Sequence, residues 1–304
     1  IIDGNSLGHA AHNATKLSVR MGAEGREFQT QAIFGMVKSM RQLSERYPGW
    51  QILILWDGEA RWRKEIHSSY KENRKAKDEV QQAHKDAYKA QSPFVRKAMS
   101  LLGILQTFAT TLEADDMAGI LVKKLSAAGE QIVLVSGDRD WLQLVRPGVT
   151  WFDPIRDHTV NISNFAEFTG YFTPEEFVQG KALMGDTSDN VPGVGGIGEK
   201  GAPEFLAQFK SVENFFAQCD SGDFVPKKVA HVKLSSPAGR AAFERNYKLM
   251  NLLDVPNPSR EDVVVIKAEY SEAKFQHFCE KLAFGSVLRN FDNFMQVFRM
   301  KAAA

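Results

Sequence analysis

Short apolar runs closed by turn residues recur through the first half of the chain, at residues 1–3, 51–57, 106–110, 131–136 and 149–152. Such runs predict strands buried on both faces of a parallel sheet. Between them, apolar residues return at three- and four-residue intervals. This predicts amphipathic helices over 30–47, stopped by Pro48-Gly49, and over 114–128, stopped by Gly129. Alternating strands and helices predict a doubly wound, mostly parallel α/β sheet with right-handed crossovers. After Gly170 the strand pattern fades, and helices are expected over 174–184, 199–209, 212–218, 237–253 and 271–282. The expected organisation is therefore an α/β core over 1–170 and an α-rich region over 171–304, with no internal repeat or low-complexity linker.

A chain of 304 residues suits about two domains, and 43% hydrophobic with 25% charged residues is ordinary for a globular protein. No apolar run approaches the roughly 18 residues needed to span a bilayer, so no membrane partner is expected. Cys219 and Cys279 have no metal-ligand spacing and form no disulfide framework, which points to a reducing compartment. No signal peptide is visible, and the chain opens on IID as if in mid-strand, so residues are expected before Ile1.

The net charge of +1 hides local segregation. In TLEADDMAG, Glu113, Asp115 and Asp116 crowd three carboxylates into four positions. Two like charges about 4 Å apart cost about 4 kcal/mol at an effective dielectric of 20, so crowding needs a compensating cation or a helix N-terminus. The other acids discriminate between these readings. Asp3, Asp57, Asp138 and Asp140 stand at or just past the C-terminal ends of expected strands, where the ligand crevice of an open α/β sheet lies. Asp186 and Asp189 add a pair in MGDTSDN. Nine carboxylates converging on one crevice require hard divalent ions, Mg²⁺ or Mn²⁺, and the absence of His and Cys argues against zinc.

Between the second strand and the helix containing Leu101, residues 61–97 hold eleven basic against five acidic residues. A basic segment beside acidic metal ligands describes a phosphodiester enzyme: the bases hold backbone phosphates and the metals do the chemistry. Tyr70 and Trp62 offer faces on which a base could stack. In YKENR, Lys71 and Arg74 are expected three residues apart on one helix face. A solvated Lys/Glu hairpin is the alternative, favoured for 78–89 alone.

GVGGIG, Gly193 to Gly198, matches the dinucleotide fingerprint only in letters, because it follows an acidic loop and Pro192 rather than a strand. It reads instead as a glycine-rich turn opening the 199–209 helix, with Gly193, Gly195, Gly196 and Gly198 freeing backbone N–H groups and Lys200 facing outwards. That is a sequence-independent phosphate site or, alternatively, a plain structural turn. His9 and His12 lack a third ligand, the Phe-rich stretch 275–298 has core spacing, and no nucleophilic triad is visible.

Taken together, IIDGN, WDG, YKENR, LEADDMAG, SGDRDW and MGDTSDNVPGVGGIGEKG resemble, in order and spacing, the flap endonuclease or 5′-nuclease family. That family includes stand-alone phage exonucleases and the 5′-nuclease domain of bacterial DNA polymerase I. The resemblance weakens beyond Leu253. It implies a PIN-like α/β fold with a helical arch at about 61–97 and a helix–three-turn–helix at about 174–218 that grips duplex DNA, often with bound K⁺. It implies a monomer acting in a bacterial or phage-infected cytoplasm on DNA with a 5′ flap, nick or free 5′ end, and on RNA–DNA hybrids. Position by position, it implies one metal site from Asp3, Asp57, Glu113, Asp115, Asp116 and Asp138, and a second from Asp140, Asp186 and Asp189. Lys71 and Arg74 would meet the scissile phosphate, and Tyr70, Lys181, the four glycines and Lys200 would contact DNA. One departure is EKGAPEF, where Pro203 fits only the first helical turn, so this helix is expected to start late. Two rivals are weighed. A HAD-type phosphatase needs an acid two residues after Asp3, where Asn5 stands. A non-catalytic DNA-binding protein would carry nine acids as an electrostatic penalty.

Overall fold

The computed structural model describes residues 1–21 and 25–302. Its strands are β1 (Ile2–Asp3), β2 (Ser18–Met21), β3 (Arg26–Gln29), β4 (Leu53–Leu55), β5 (Leu105–Ala109), β6 (Ile132–Val135), β7 (Val149–Asp153), β8 (His158–Val160) and β9 (Val263–Ile266). Contacts divide the chain into two compact units, neither of them continuous. Unit 1 comprises Ile1–Gly58, Ala76–Ala114 and Ser259–Ala304; unit 2 comprises Glu59–Lys75 and Asp115–Pro258.

In unit 1, β1 pairs with β4 and β4 with β5, both parallel, with Ile2 opposite Ile54 and Leu53 opposite Leu105. β9 runs antiparallel to β5. The helix Gly4–Ala14 follows β1 directly; Asp3 caps it by accepting the Ser6 N–H at 2.9 Å. Gly4 is there for space, since a Cβ would lie 2.6 Å from the Trp56 ring. Ile33, Met36 and Met40 of the helix Gln31–Arg46 are wholly buried, as are Phe275, Phe284 and Phe298, so the Phe-rich stretch is core.

In unit 2, β6 and β7 are parallel and β8 is antiparallel to β7. Each unit thus joins parallel strand pairs, extended by antiparallel ones, to helices, the α/β class expected. The helix Pro174–Met184 has its N-cap at Thr173 and Pro174 in the first position. The helix Gly201–Phe209 starts late, as the proline predicts, with Pro203 in its first turn. Phe205, Phe209, Phe215 and Phe224 surround the buried ring of His231 at centroid distances of 5.4 to 6.0 Å.

Three elements depart from expectation. β8, β9 and the β2–β3 hairpin lie outside the expected strands, although Ser18–Met21 alternates polar and apolar residues and Val263–Ile266 is a run of four β-branched residues. The segment 61–97 folds as a helix Arg61–Ile66, a 3₁₀ turn Glu72–Arg74 and a long helix Glu79–Leu101. Lys71 and Arg74 therefore do not share an α-helical face: Lys71 precedes the 3₁₀ turn in the left-handed region, at φ 56°.

Candidate active site

Three of the nine acids lie in unit 1. Asp3 ends β1 and is 6% exposed. Asp57, two residues beyond β4, accepts from Asn5 Nδ2 at 2.6 Å and from the Ala114 N–H at 2.9 Å. Asn5, whose identity stands against a phosphatase, thus orients a carboxylate, and Asp57 satisfies the start of the helix Ala114–Ala127. Glu113 is buried just before that helix. Tyr88, from the helix Glu79–Leu101, has its hydroxyl ionisation pushed up by burial and, further, by the negative charges of Asp3 and Asp57.

Six lie in unit 2. Asp115 and Asp116 open the first turn of Ala114–Ala127, so the crowding that began as a choice between helix cap and metal site does sit at a helix N-terminus. Asp115 accepts from Trp141 Nε1 at 2.6 Å. Asp116 is fully buried and both its oxygens meet the Arg63 guanidinium, at 2.7 and 2.8 Å, while Trp62 Nε1 lies 3.3 Å away. That bidentate pair compensates the buried Asp116 charge from within the protein. Asp138 caps the 3₁₀ segment Arg139–Leu144 through the Asp140 N–H at 2.8 Å.

Asp115, Asp140, Asp186 and Asp189 line one cavity of unit 2 together with Arg63 and Tyr70. The Lys181 ammonium lies 2.8 Å from Asp140 and 3.3 Å from Asp186. Burial pulls the Lys181 ionisation down, but the two carboxylates outweigh it and hold the group above the usual lysine range. Burial likewise raises Asp186, yet Lys181 and Ser188 bring it below the usual carboxylate range. Lys181, expected at DNA, is thus committed to two acids.

Lys71 Nζ approaches Asp189 at 3.8 Å, and Arg74 bonds the other oxygen of the same carboxylate. The Lys71 N–H also donates to the Asp189 carbonyl at 3.0 Å, and Asn73 Nδ2 to the Thr187 carbonyl at 2.6 Å. Sequence order placed these cations on a helix face; what gathers them is a turn laced to the 187–189 loop. Tyr70 and Trp62 are corrected too. Both are buried, with the Tyr70 hydroxyl donating to Asp189 at 2.9 Å and the Trp62 indole facing Asp116, so neither offers a stacking face.

The glycine turn divides into two classes. A Cβ on Gly193 would lie 2.3 Å from the Met184 carbonyl, and one on Gly195 2.6 Å from the Ala230 carbonyl; both are glycines for packing. Gly196 needs its φ of 82°, and Gly198 has nothing within 4 Å. Gly196, Gly198 and Lys200 are exposed, which leaves them as the open part of the turn.

The donor set fits a hard divalent cation: carboxylate oxygens without imidazole or thiolate, around a spot where the protein already places an ammonium. Among the described residues, no group of three or more His, Cys, Asp or Glu is arranged to hold an ion. In unit 2, Arg63, Arg74 and Lys181 are paired with carboxylate oxygens of Asp116, Asp189 and Asp140. None of these three contacts is legible from spacing along the chain.

Comparison with known proteins gives a consistent picture. The family model for the 5′-3′ exonuclease N-terminal resolvase-like domain matches residues 1–178, and that for its C-terminal SAM fold matches residues 172–269. The chain is 32% identical over 244 residues to a 5′-3′ exonuclease of Buchnera aphidicola, covering 78% of this chain and 81% of that one. It is 28% identical to the thermostable DNA polymerase I of Thermus filiformis over 96% of this chain but 33% of the polymerase, so it spans about a third of that relative. In fold it is similar to the 5′-exonuclease of bacteriophage T5 solved with bound divalent metal ions (zinc), at a TM-score of 0.70 and 21% identity, covering 98% of this chain and 96% of that one. With both family models matched in tandem, and a relative above 30% identity aligned over most of its length, the chain belongs to the 5′-3′ exonuclease family.

Proposed function

We propose that this chain is a structure-specific 5′-nuclease that hydrolyses phosphodiesters of DNA at 5′ flaps, nicks or free 5′ ends, as a monomer using two Mg²⁺ ions. The observation that carries this reading is the convergence of Lys71 and Arg74 on Asp189, beside Asp140 and Asp186 in one cavity lining. Two phosphate-binding cations held against carboxylates suit a site that exchanges those contacts for substrate and metal.

Asp3, Asp57 and Glu113 are the candidate oxygen donors of unit 1, and Asp115, Asp116, Asp138, Asp140, Asp186 and Asp189 those of unit 2. Bound divalent ions would acidify the attacking water and shield the charge that develops on the phosphate. Lys71 and Arg74 turn from Asp189 to the scissile phosphate and offset the same charge. The exposed Gly196–Lys200 backbone receives a duplex phosphate remote from the cut, a place that also suits K⁺.

The test is a 5′-labelled flap duplex. Short 5′-terminal products in Mg²⁺, none in chelator, and loss of cleavage in Asp138→Asn with duplex affinity kept or raised are the expected results. Ordinary turnover by Asp138→Asn would remove the carboxylate mechanism. Phosphate release from a small monoester without flap cleavage would favour the phosphatase rival. A nick, a gap and an RNA–DNA hybrid run in parallel fix the substrate range.

A further inference from the structure

Unit 2 contains a second cavity, of about 320 Å³, whose chemistry has nothing in common with the acidic one. Its walls are Val145, Pro147, Ile162, Pro174, Val178 and Leu253. This volume lies at the small end of ligand sites, which run from about 300 to 1,000 Å³.

The polar groups around it differ in how far they are satisfied. Gln143 is used up internally: its amide nitrogen donates to the carbonyls of Asp140 and Met250 at 3.0 and 3.1 Å, and its oxygen accepts the Leu252 N–H at 2.8 Å. Glu175 also lines the cavity, and one of its oxygens accepts from the Tyr247 hydroxyl. Asn251 Oδ1 accepts the Leu253 N–H at 3.0 Å, which leaves its NH₂ group. Arg146 differs from all of these. Its Nε donates to the Leu144 carbonyl at 3.1 Å, and among the described residues its two terminal amino groups meet no acceptor.

Among the described residues no carboxylate is paired with Arg146, and burial moves its ionisation downwards. A half-buried guanidinium without a counter-charge is a standing desolvation penalty that an incoming anion relieves. The cavity therefore combines apolar walls with a cluster of donors, Arg146 Nη1 and Nη2 and Asn251 Nδ2.

We propose that this cavity binds an apolar group bearing one carboxylate, with the carboxylate bidentate on Arg146 and the apolar body against Ile162, Val178 and Leu253. A planar fork matches carboxylate geometry, and a charge-assisted pair of this kind discriminates strongly against a neutral isostere. The carboxylate has two sources, a free small acid or the C-terminal residue of a polypeptide, and both present the same chemistry.

The probes are N-acetyl-phenylalanine, its C-terminal amide, and a pentapeptide of four glycines ending in phenylalanine, titrated by calorimetry into the full chain. The acid is expected to bind at least about tenfold tighter than the amide, the order set by a hydrogen bond to a charged group. Arg146→Met should erase that ratio and Arg146→Lys should keep part of it, while flap cleavage stays unchanged in both. Pentapeptide binding tenfold tighter than the single amino acid marks a chain terminus as the occupant; equal binding marks a free acid. Equal affinity of acid and amide, or a ratio that survives Arg146→Met, overturns the proposal. So does competitive displacement of the acid by an oligothymidylate, which would make the site a phosphodiester contact. Should Arg146→Met fail to fold, the acid-to-amide ratio of the unaltered chain still decides.

Discussion

Arg63 and Asp116 are exposed by 3% and 0% in their side chains, and removing one partner of such a pair is far worse than removing both. Arg63→Met should destabilise the protein by about 3–5 kcal/mol because it strands a buried carboxylate. Arg63→Met combined with Asp116→Leu should recover most of that loss, as read from urea melts of the two variants. If the double variant is as unstable as the single, Asp116 is held by more than its arginine. Lys71 is a different residue-scale case, since its contact with Asp189 is long and its side chain is 20% exposed. Lys71→Ala should slow single-turnover cleavage by at least about 100-fold, the order of one preorganised electrostatic contact, while flap-duplex affinity changes only a few-fold. Equal losses in rate and affinity would reduce Lys71 to a tether.

At the scale of elements, the glycine turn separates packing from binding. Gly193→Ala should unfold the 185–201 region, because its Cβ would meet the Met184 carbonyl at 2.3 Å. Gly198→Val meets open space, so it should melt as the parent does and yet weaken duplex binding; unchanged affinity would move the phosphate contact elsewhere. The aromatic cage of His231 gives a pH dependence. Burial lowers this histidine below its ordinary 6.5, with the charge of Lys228 acting in the same direction. The unfolded chain therefore binds the proton first, so the contribution of His231 is complete above pH 6.5 and fades as pH falls towards the lowered value. His231→Leu should flatten the acid side of a stability–pH curve measured by thermal melts.

Elements also show what could be read along the chain. Strands β1, β4, β5, β6 and β7 and the helices 31–46, 114–127 and 174–184 announce themselves because burial on known faces writes a period into the sequence. The helix Gly4–Ala14 does not, having two glycines in its first five positions and little apolar stripe; a cap and tight packing under Trp56 make it. β9, four β-branched residues in a helical neighbourhood, is a strand because β5 is there to receive it. The acids were legible as a set because strand ends and short spacings mark them. The contacts of Arg63 with residues 53 and 186 positions away, the pairing of Lys181 with Asp140, and the burial of Tyr70 were not, because local pattern leaves these side chains neutral.

On the scale of the whole chain, a net charge of +1 conceals a local surplus of positive charge. The surplus of six in residues 61–97 should give duplex binding a steep salt dependence, measured as the slope of log affinity against log salt. A flat slope would mean that this segment does not reach phosphates. The order of the two units along the chain has another consequence. Strand β5 leaves the ribosome more than 150 residues before β9, which completes that side of unit 1. Throughout that interval unit 2 can be finished, while the outer edge of β5 remains an unpaired row of backbone groups beside apolar residues. Synthesis thus passes through a stage with an open, sticky strand edge, the kind of intermediate on which chaperones act. Chains stalled at residue 258 should be sensitive to protease near Leu105–Ala109 and prone to co-aggregate, and synthesis of residues 259–304 should abolish both.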